Sequence, residues 1–160
     1  MLMAKKEECC PRFNPKPWEG KTVAWNGKLF AKAHIRCLFH IPLNFGSVMT
    51  DSMQRIEAAG ALAEGKDFIA LNDDCSLFRS DLYIAVTKPV PGMEMERISG
   101  TFLTKVFEGP FSDAGKWAKG MDAYVAKKGK KIKRLLFYYT TCPACAKKYG
   151  KNYTVLLAQV

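Results

Sequence analysis

The chain has 160 residues, of which 48% are hydrophobic and 25% are charged, and this composition is typical of a globular protein and excludes a disordered one. Its formal net charge is +10, and no segment has the roughly 20 consecutive apolar residues that a membrane helix needs. The first ten residues lack the apolar core of a secretion signal, which predicts a cytoplasmic protein without a membrane partner.

The first half of the chain reads as a lead followed by one strand–helix–strand–strand unit. Residues 1–20 form a proline-containing lead, and two strands are predicted over residues 21–25 and 28–40. Asn26 and Gly27 predict a tight hairpin between these strands. Apolar residues at helical spacing predict a helix over residues 46–60. The rest of this half is predicted as strands over 67–71 and 81–87, a turn over 72–76 and a break at 89–92.

The second half repeats the same order of elements. They are a strand over residues 101–107, a helix over 112–128 and strands over 132–139 and 153–160. The two helix-ending glycines, Gly60 and Gly129, are 69 residues apart. The pattern predicts one α+β domain over residues 21–160, made of duplicated strand–helix–strand–strand units at about 28–88 and 96–160. These units would form an antiparallel sheet with two helices on one face and a ligand groove between the halves.

Two stretches resemble the GyrI-like family of small-molecule-binding domains. Residues 100–111 read GTFLTKVFEGPF, a strand that leads into a Gly-Pro-aromatic turn before a helix. Residues 140–150 read TTCPACAKKYG, and this segment is similar to a stand-alone subgroup often labelled as hydrolases. The resemblance covers about residues 28–160. The 20-residue lead is too short for a helix-turn-helix, which disfavours a DNA-binding regulator.

The resemblance implies a function in binding small molecules. GyrI-like domains bind hydrophobic, frequently cationic aromatic compounds with stacked aromatic rings and a buried carboxylate, and this breadth suggests multidrug binding. Some stand-alone members hydrolyse cyclopropane-containing compounds, so the chain is a candidate hydrolase. No cofactor is required for either activity.

The residues assigned to the ligand site are mostly aromatic. We expect them to form the walls of the pocket, although aromatic side chains on strands also line ordinary cores. Because side chains alternate along a strand, Tyr138 lies on the face opposite to its two neighbours. The proposed wall residues are Tyr83, Phe111, Trp117, Phe137 and Tyr139, with His40 as a neighbour of the pocket.

A carboxylate is also required, and Glu108 is its first candidate. The family's regulators carry a glutamate at the position that Phe137 occupies here, so the carboxylate must come from elsewhere in this chain. Glu108 ends a strand and could act as the catalytic base, with Tyr138 as the hydrogen-bond donor. The alternatives are a solvated turn residue at Glu108 and a carboxylate supplied by Asp81.

The spacing of the histidines argues against a shared metal site, whereas the cysteines allow one. His34 and His40 lie on one strand about 20 Å apart, too far to share a metal, and we interpret both as structural. Cys142 and Cys145 have half of a zinc-binding spacing, and Cys9 and Cys10 could supply the other ligands. Free thiols of a reducing compartment are the alternative.

The positive charge is concentrated in one region. Residues 113–151 contain eleven basic and two acidic residues, and six of the eight residues in 127–134 are basic. This segment suggests an alternative function as an anion- or nucleic-acid-interacting module. It lacks interleaved aromatic residues and spans a helix stop at Gly129, both of which favour a solvated surface over a nucleic-acid partner.

Overall fold

The computed structural model describes residues 13–39, 41–74, 76–140, 147 and 149–160. The chain forms two compact units. The central unit is residues 24–100, and the terminal unit is Thr101–Val160 together with the start of the chain up to Val23. Within the described parts of the chain, no helix is long and apolar enough to cross a membrane.

The central unit contains an antiparallel sheet and one helix. Its strands are hydrogen-bonded in the order β2–β1–β4–β3, and β1 also pairs with β5. The elements are β1 (Lys21–Leu38), β2 (Ile41–Pro42), α1 (Phe45–Ala58), β3 (Ala70–Asp73), β4 (Arg79–Ala85) and the first part of β5 (Glu94–Glu108).

The terminal unit also contains one helix and paired antiparallel strands. The helix is α2 (Ala114–Lys127), followed by β6 (Arg134–Tyr139) and β7 (Tyr153–Gln159). The second part of β5 pairs with β7, and β7 pairs with β6, both in antiparallel register. The predicted α+β class, with an antiparallel sheet and two helices, is therefore confirmed, while the duplication of the units stays a prediction.

The predicted hairpin at Asn26 and Gly27 is wrong, because β1 runs through both residues without a turn. Gly27 does have a positive φ of 71°, which is the conformation that the dipeptide signal implied. Its N–H donates to Ser99 Oγ at 2.7 Å, and its carbonyl accepts from Arg97 at 3.0 Å. A left-handed glycine inside a paired strand is typical of a β-bulge, so the strand continues.

Two further boundaries differ from the prediction. β5 begins at Glu94, seven residues before the predicted start, because its polar residues Glu94 and Glu96 have cationic partners on β1. The strand predicted over 67–71 begins only at Ala70, since Gly65–Asp67 forms a 3₁₀ turn. Asn72 and Asp73, predicted as a turn, instead pair with β4. Cross-strand partners decided the differences at the start of β5 and at residues 72–73, and a single-strand pattern does not contain them.

Both helices end in the same hydrogen-bonded motif. Gly60 and Gly129 have φ values of 64° and 72°. In each case the glycine N–H bonds the carbonyl three residues earlier, and the next N–H bonds the carbonyl five residues earlier. This is a Schellman motif, which the glycines make accessible.

Each helix packs on one face of the strands in its own unit. In the central unit the helix face of β1 and β4 carries Ala31, Ile35, Leu82 and Ile84, which pack with Ile56 of α1. In the terminal unit Leu103, Leu156 and Ala158 pack with α2. Because successive side chains alternate, the residues between these positions lie on what we call the far face of each unit.

Candidate functional site

Asp81 is a buried acid on the far face of the central unit. It lies on β4 directly opposite His34 of β1, and only 3% of its surface is exposed. His34 Nδ1 is 2.7 Å from Asp81 Oδ1, while Lys32 Nζ and Arg79 Nη2 lie 3.7 and 3.5 Å from Oδ2. An unpaired buried carboxylate is costly, so these three cations compensate the burial of its charge.

His34 connects this acid to a second one. Its Nε2 atom is 3.1 Å from Oε1 of Glu94 at the start of β5. The hydrogen bonds to Asp81 and then to Glu94 raise the pKa of His34 above its ordinary value, despite a small opposing effect of burial. Carboxylates only accept hydrogen bonds, so the protonated imidazole satisfies both partners at once.

The predicted wall residue Tyr83 lies beside Asp81 on the same face of β4. It is buried and packs edge-to-face on Phe30, with ring centroids 6.3 Å apart. Lys32 Nζ lies 5.5 Å from the centroid of the tyrosine ring, within the range of a cation–π contact. Tyr83 is therefore part of a packed, partly polar cluster in the central unit.

A groove of about 550 Å³ opens next to this cluster. Lys32 and His34 of β1 lie on one side, α1 contributes Asp51 and Arg55, and Glu94 completes the rim. Its volume falls within the usual range of small-molecule pockets. Its lining mixes charged with small and aliphatic residues and contains no phenylalanine, tyrosine or tryptophan, so it does not match the aromatic pocket that the sequence predicts.

Four predicted wall residues come together under α2 in the terminal unit. Phe137 and Tyr139 stack with ring centroids 6.0 Å apart, and Tyr139 meets Phe111 edge-to-face at 5.5 Å. Trp117 of α2 is buried and stacks on Phe107 at 6.2 Å. Phe107, Trp117, Phe137 and Tyr139 belong to the hydrophobic cluster that holds α2 on the strands, and Phe111 joins them through its contact with Tyr139.

Tyr138 lies on the far face of the same strand, as the alternation predicts. Its ring contacts Trp18 and Phe13, with centroid distances of 5.8 and 6.2 Å. Phe13 also contacts Tyr153 at 5.8 Å. All four residues are partly exposed. The far face of the terminal unit therefore has an aromatic group, which we call the Tyr138 group, formed by Phe13, Trp18, Tyr138 and Tyr153.

The lead residues of this group are held in place by hydrogen bonds to β5. Glu19 accepts a hydrogen bond from the Val106 N–H at 3.0 Å and pairs with Lys105 Nζ at 3.1 Å. The Thr104 hydroxyl donates to the Trp18 carbonyl. The aromatic contacts of Phe13 and Trp18 were not predicted from the sequence, because no periodic pattern marks these two residues.

Glu108 is exposed at the end of β5, directly opposite Tyr153 of β7. It lines a notch of about 370 Å³ together with Asn152 and two lysines, Lys147 and Lys151. Asn152 donates to the Gly109 carbonyl at 2.8 Å, which fixes the turn after the strand. The register puts Glu108 on the same face as Tyr138. Because β7 lies between their strands and the two residues are offset by two positions along it, their Cα atoms are about 12 Å apart.

The basic segment at the end of α2 is largely solvated. Lys127, Lys128, Lys130 and Lys131 are exposed. Lys128 Nζ lies 5.2 Å from the ring centroid of Tyr124, and Lys105 Nζ lies 5.1 Å from it. Cations at a helix C-terminus interact favourably with the helix dipole, which is a structural role for this charge.

Several predicted residues lie outside the described part of the chain. They are His40 and the four candidate zinc ligands Cys9, Cys10, Cys142 and Cys145. Among the described residues, no group of three or more histidine, cysteine or acidic side chains could hold a metal ion.

Comparison with known proteins gives both a family and a fold. A family model described as bacterial hydrolase matches residues 2–160. The C-terminal domain of EcmrR superposes with a TM-score of 0.69 at 11% identity, covering 89% of this chain and 96% of that domain. A hydrolase from Listeria innocua gives a TM-score of 0.58 at 12% identity, with coverages of 98% and 96%. At these identities the likeness concerns the fold, and no curated protein matches the chain.

Proposed function

The chain belongs to the bacterial hydrolase family and has the GyrI-like fold, and on this premise we propose that it binds hydrophobic aromatic small molecules, cationic ones included. The Tyr138 group is the observation that carries the proposal. It presents four partly exposed rings on the far face of the terminal unit. Exposed aromatic faces bind planar rings by stacking and bind organic cations through their π-systems.

The position of Glu108 supports a cationic ligand. Glu108 lies on the same face as Tyr138, with about 12 Å between their Cα atoms, a distance that a fused aromatic cation can span. Because Glu108 is exposed, a ligand can reach its carboxylate without disturbing the hydrophobic core of the unit. Asp81 is the alternative carboxylate, but three cations already lie within 4 Å of it.

The test is a titration of the purified chain with a rhodamine dye, followed by fluorescence anisotropy. Tyr138→Ala and Tyr139→Ala form a matched pair, because the two residues are neighbours on opposite faces of β6. Loss of a stacking ring should weaken dye binding about tenfold in Tyr138→Ala. Tyr139→Ala removes a ring from the α2 cluster, so it should lower stability and leave the affinity of the folded protein unchanged. The reverse pattern would place the ligand on the helix face and refute this site.

The carboxylate is tested in the same way with a second pair. Glu108→Gln should weaken binding of the cationic dye and leave a neutral aromatic probe unaffected. Asp81→Asn should have no effect on the dye as long as the protein is folded. If Asp81→Asn alone weakens binding, the cation site belongs to the central unit and Glu108 has no role.

We extend the proposal to hydrolysis of strained, cyclopropane-type electrophiles, which is what the family resemblance implies. Glu108 would take a proton from a water molecule while the oxygen of that water forms a bond to the electrophilic ring carbon. The breaking carbon–carbon bond would pass its electron pair to a conjugated carbonyl, giving an enolate whose oxygen Tyr138 stabilises by hydrogen bonding. The proton taken up by Glu108 would then be transferred to the enolate, which completes the addition of one water and regenerates the carboxylate. Mass spectrometry of an activated cyclopropane incubated with the protein should reveal a product heavier by one water, and Glu108→Gln should abolish it. An unchanged rate in Glu108→Gln would exclude this base.

A further inference from the structure

One end of the central unit exposes a group of large apolar side chains. Among the described residues, these are all the large hydrophobic side chains that are exposed. They come from two neighbouring segments, residues 38–43 around β2 and the loop before β4. The two segments are joined by a hydrogen bond from the Cys37 N–H to the Phe78 carbonyl at 2.8 Å. We call the group the Phe39 patch, and it consists of Leu38, Phe39, Leu43, Leu77 and Phe78.

The backbone at the centre of the patch is strained. Phe39 has a φ of 49°, and it is the sole non-glycine residue with a positive φ in the described chain. It lies in a two-residue connection, since Leu38 pairs with Ile41, and such connections favour asparagine or glycine over an aromatic residue. The left-handed conformation is unfavourable for a residue with a Cβ atom.

Among the residues that the structure describes, no burial of Phe39 compensates this cost. Phe39 is 66% exposed, and the ring it contacts is that of Phe78, at 6.0 Å, which is itself 57% exposed. An aromatic residue that is both strained and solvated gives a reason to look for a partner that buries it.

We propose that the Phe39 patch is a self-association surface that binds the same patch of a second copy of this chain. The charges support a second copy as the partner. The residues that flank the patch in the chain are Arg36, Asp73, Asp74 and Arg79, two of each sign, whereas the whole chain carries +10. Two copies therefore repel each other least at this end, because its flanking charges cancel while the rest of the chain is basic.

The same flanking residues argue against an anionic membrane as the partner. Surfaces that attach to anionic lipids surround their apolar side chains with basic residues, and here two aspartates precede Leu77 and Phe78. A β-sheet extension is also disfavoured, because β2 has two residues and one of them is Pro42, which lacks the N–H needed for pairing.

The size of the patch predicts a weak dimer. From the exposed fractions of its five side chains, we place the apolar area at about 500 Å² per copy. Two copies would bury about 1,000 Å², near the lower limit for a specific interface. The association should therefore depend on concentration in the micromolar range.

Sedimentation velocity of the full chain over increasing concentration tests the proposal. The wild-type protein should shift from monomer to dimer, and the double variant Phe39→Asn with Phe78→Ser should weaken association at least about tenfold. Asparagine tolerates the left-handed conformation, so urea unfolding of Phe39→Asn alone should reveal equal or higher stability. The control Lys119→Ser, an exposed residue outside the patch, should associate like the wild type.

Three results would overturn the proposal. A wild-type protein that stays monomeric at millimolar concentration has no such surface. A dimer that is unchanged in the double variant uses another surface. Flotation of the wild-type protein, but not of the double variant, with vesicles of phosphatidylcholine and phosphatidylglycerol, without a dimer in solution, would assign the patch to a membrane.

Discussion

Asp81 and His34 face each other across β4 and β1, with 2.7 Å between Oδ1 and Nδ1. This pair joins a buried acid to a half-exposed base, and Glu94 holds the other nitrogen of the same imidazole. The protonation of one side chain is thus coupled to the pairing of β1 with β4 and with β5.

The first prediction concerns stability and pH. The carboxylate hydrogen bonds raise the pKa of His34 in the folded state, so the folded protein holds this proton more tightly than the unfolded chain does. The stabilisation is fully present below the unfolded pKa of about 6.5 and is lost as pH rises through the higher folded value. Urea midpoints measured from about pH 5 to pH 9 should therefore fall with rising pH across this window.

The two histidines of the chain provide the control for this effect. His34→Gln should flatten the pH dependence between pH 6 and 9, and His40→Gln should leave it as in the wild type. A dependence that disappears in His40→Gln and persists in His34→Gln would contradict the assignment.

The second prediction concerns the charge of Asp81. Asp81→Asn keeps the shape of the side chain and leaves Lys32, His34 and Arg79 without their shared anion. The free energy of unfolding should fall by about 2 kcal/mol, less than for a fully buried pair because His34 is half exposed. Glu94→Gln removes an exposed partner of His34 and should cost about 0.5 kcal/mol or less. Chemical denaturation of both variants measures the two losses in the free energy of unfolding. Equal losses would contradict the expectation that the buried acid contributes more than the exposed one.

The third prediction separates two kinds of glycine. Gly60→Ala and Gly129→Ala force alanine into a left-handed conformation at the helix ends, which should cost about 1–2 kcal/mol each. Gly115 lies inside α2, and a Cβ added there meets no atom within 4 Å. Gly115→Ala should therefore stabilise the protein by about 0.5–1 kcal/mol. Thermal unfolding of the three variants checks the sign of the change in stability. Gly60→Ala and Gly129→Ala should unfold at a lower temperature than the wild type, and Gly115→Ala at a higher one.

The fourth prediction concerns the thiols. Burial, with a contribution from the charge of Asp74, raises the pKa of Cys37 above its ordinary value. The Cys37 thiol is buried, so it should react with a disulfide reagent only after unfolding. The native wild-type protein and native Cys37→Ser should therefore react with the reagent at the same rate and to the same extent, because the buried thiol does not take part in the reaction of the folded protein.

The state of the other cysteines is tested by metal analysis. Free thiols at Cys9, Cys10, Cys142 and Cys145 predict zinc near zero in untreated protein. A stoichiometric zinc content that Cys142→Ser abolishes would instead assign these cysteines to a structural site.

The sequence by itself was sufficient for features that depend on near neighbours in the chain. Gly60 and Gly129 marked the ends of both helices, since a C-terminal glycine satisfies local carbonyls through its own backbone. The alternation at residues 137–139 correctly put Tyr138 on the face opposite to Phe137 and Tyr139, because the pleat of a strand has a period of two. These signals require no knowledge of what lies across the sheet.

Only the tertiary structure decided which strands meet. Asn26 and Gly27 formed a bulge and no hairpin, because β5 supplied hydrogen-bond partners on the other side of Gly27. Asp81 became a paired buried acid because the register of β1 and β4 put His34 opposite it. Hydrogen bonding and charge pairing between strands act over separations of 47 to 72 residues here, and the pattern within a single strand contains no record of them.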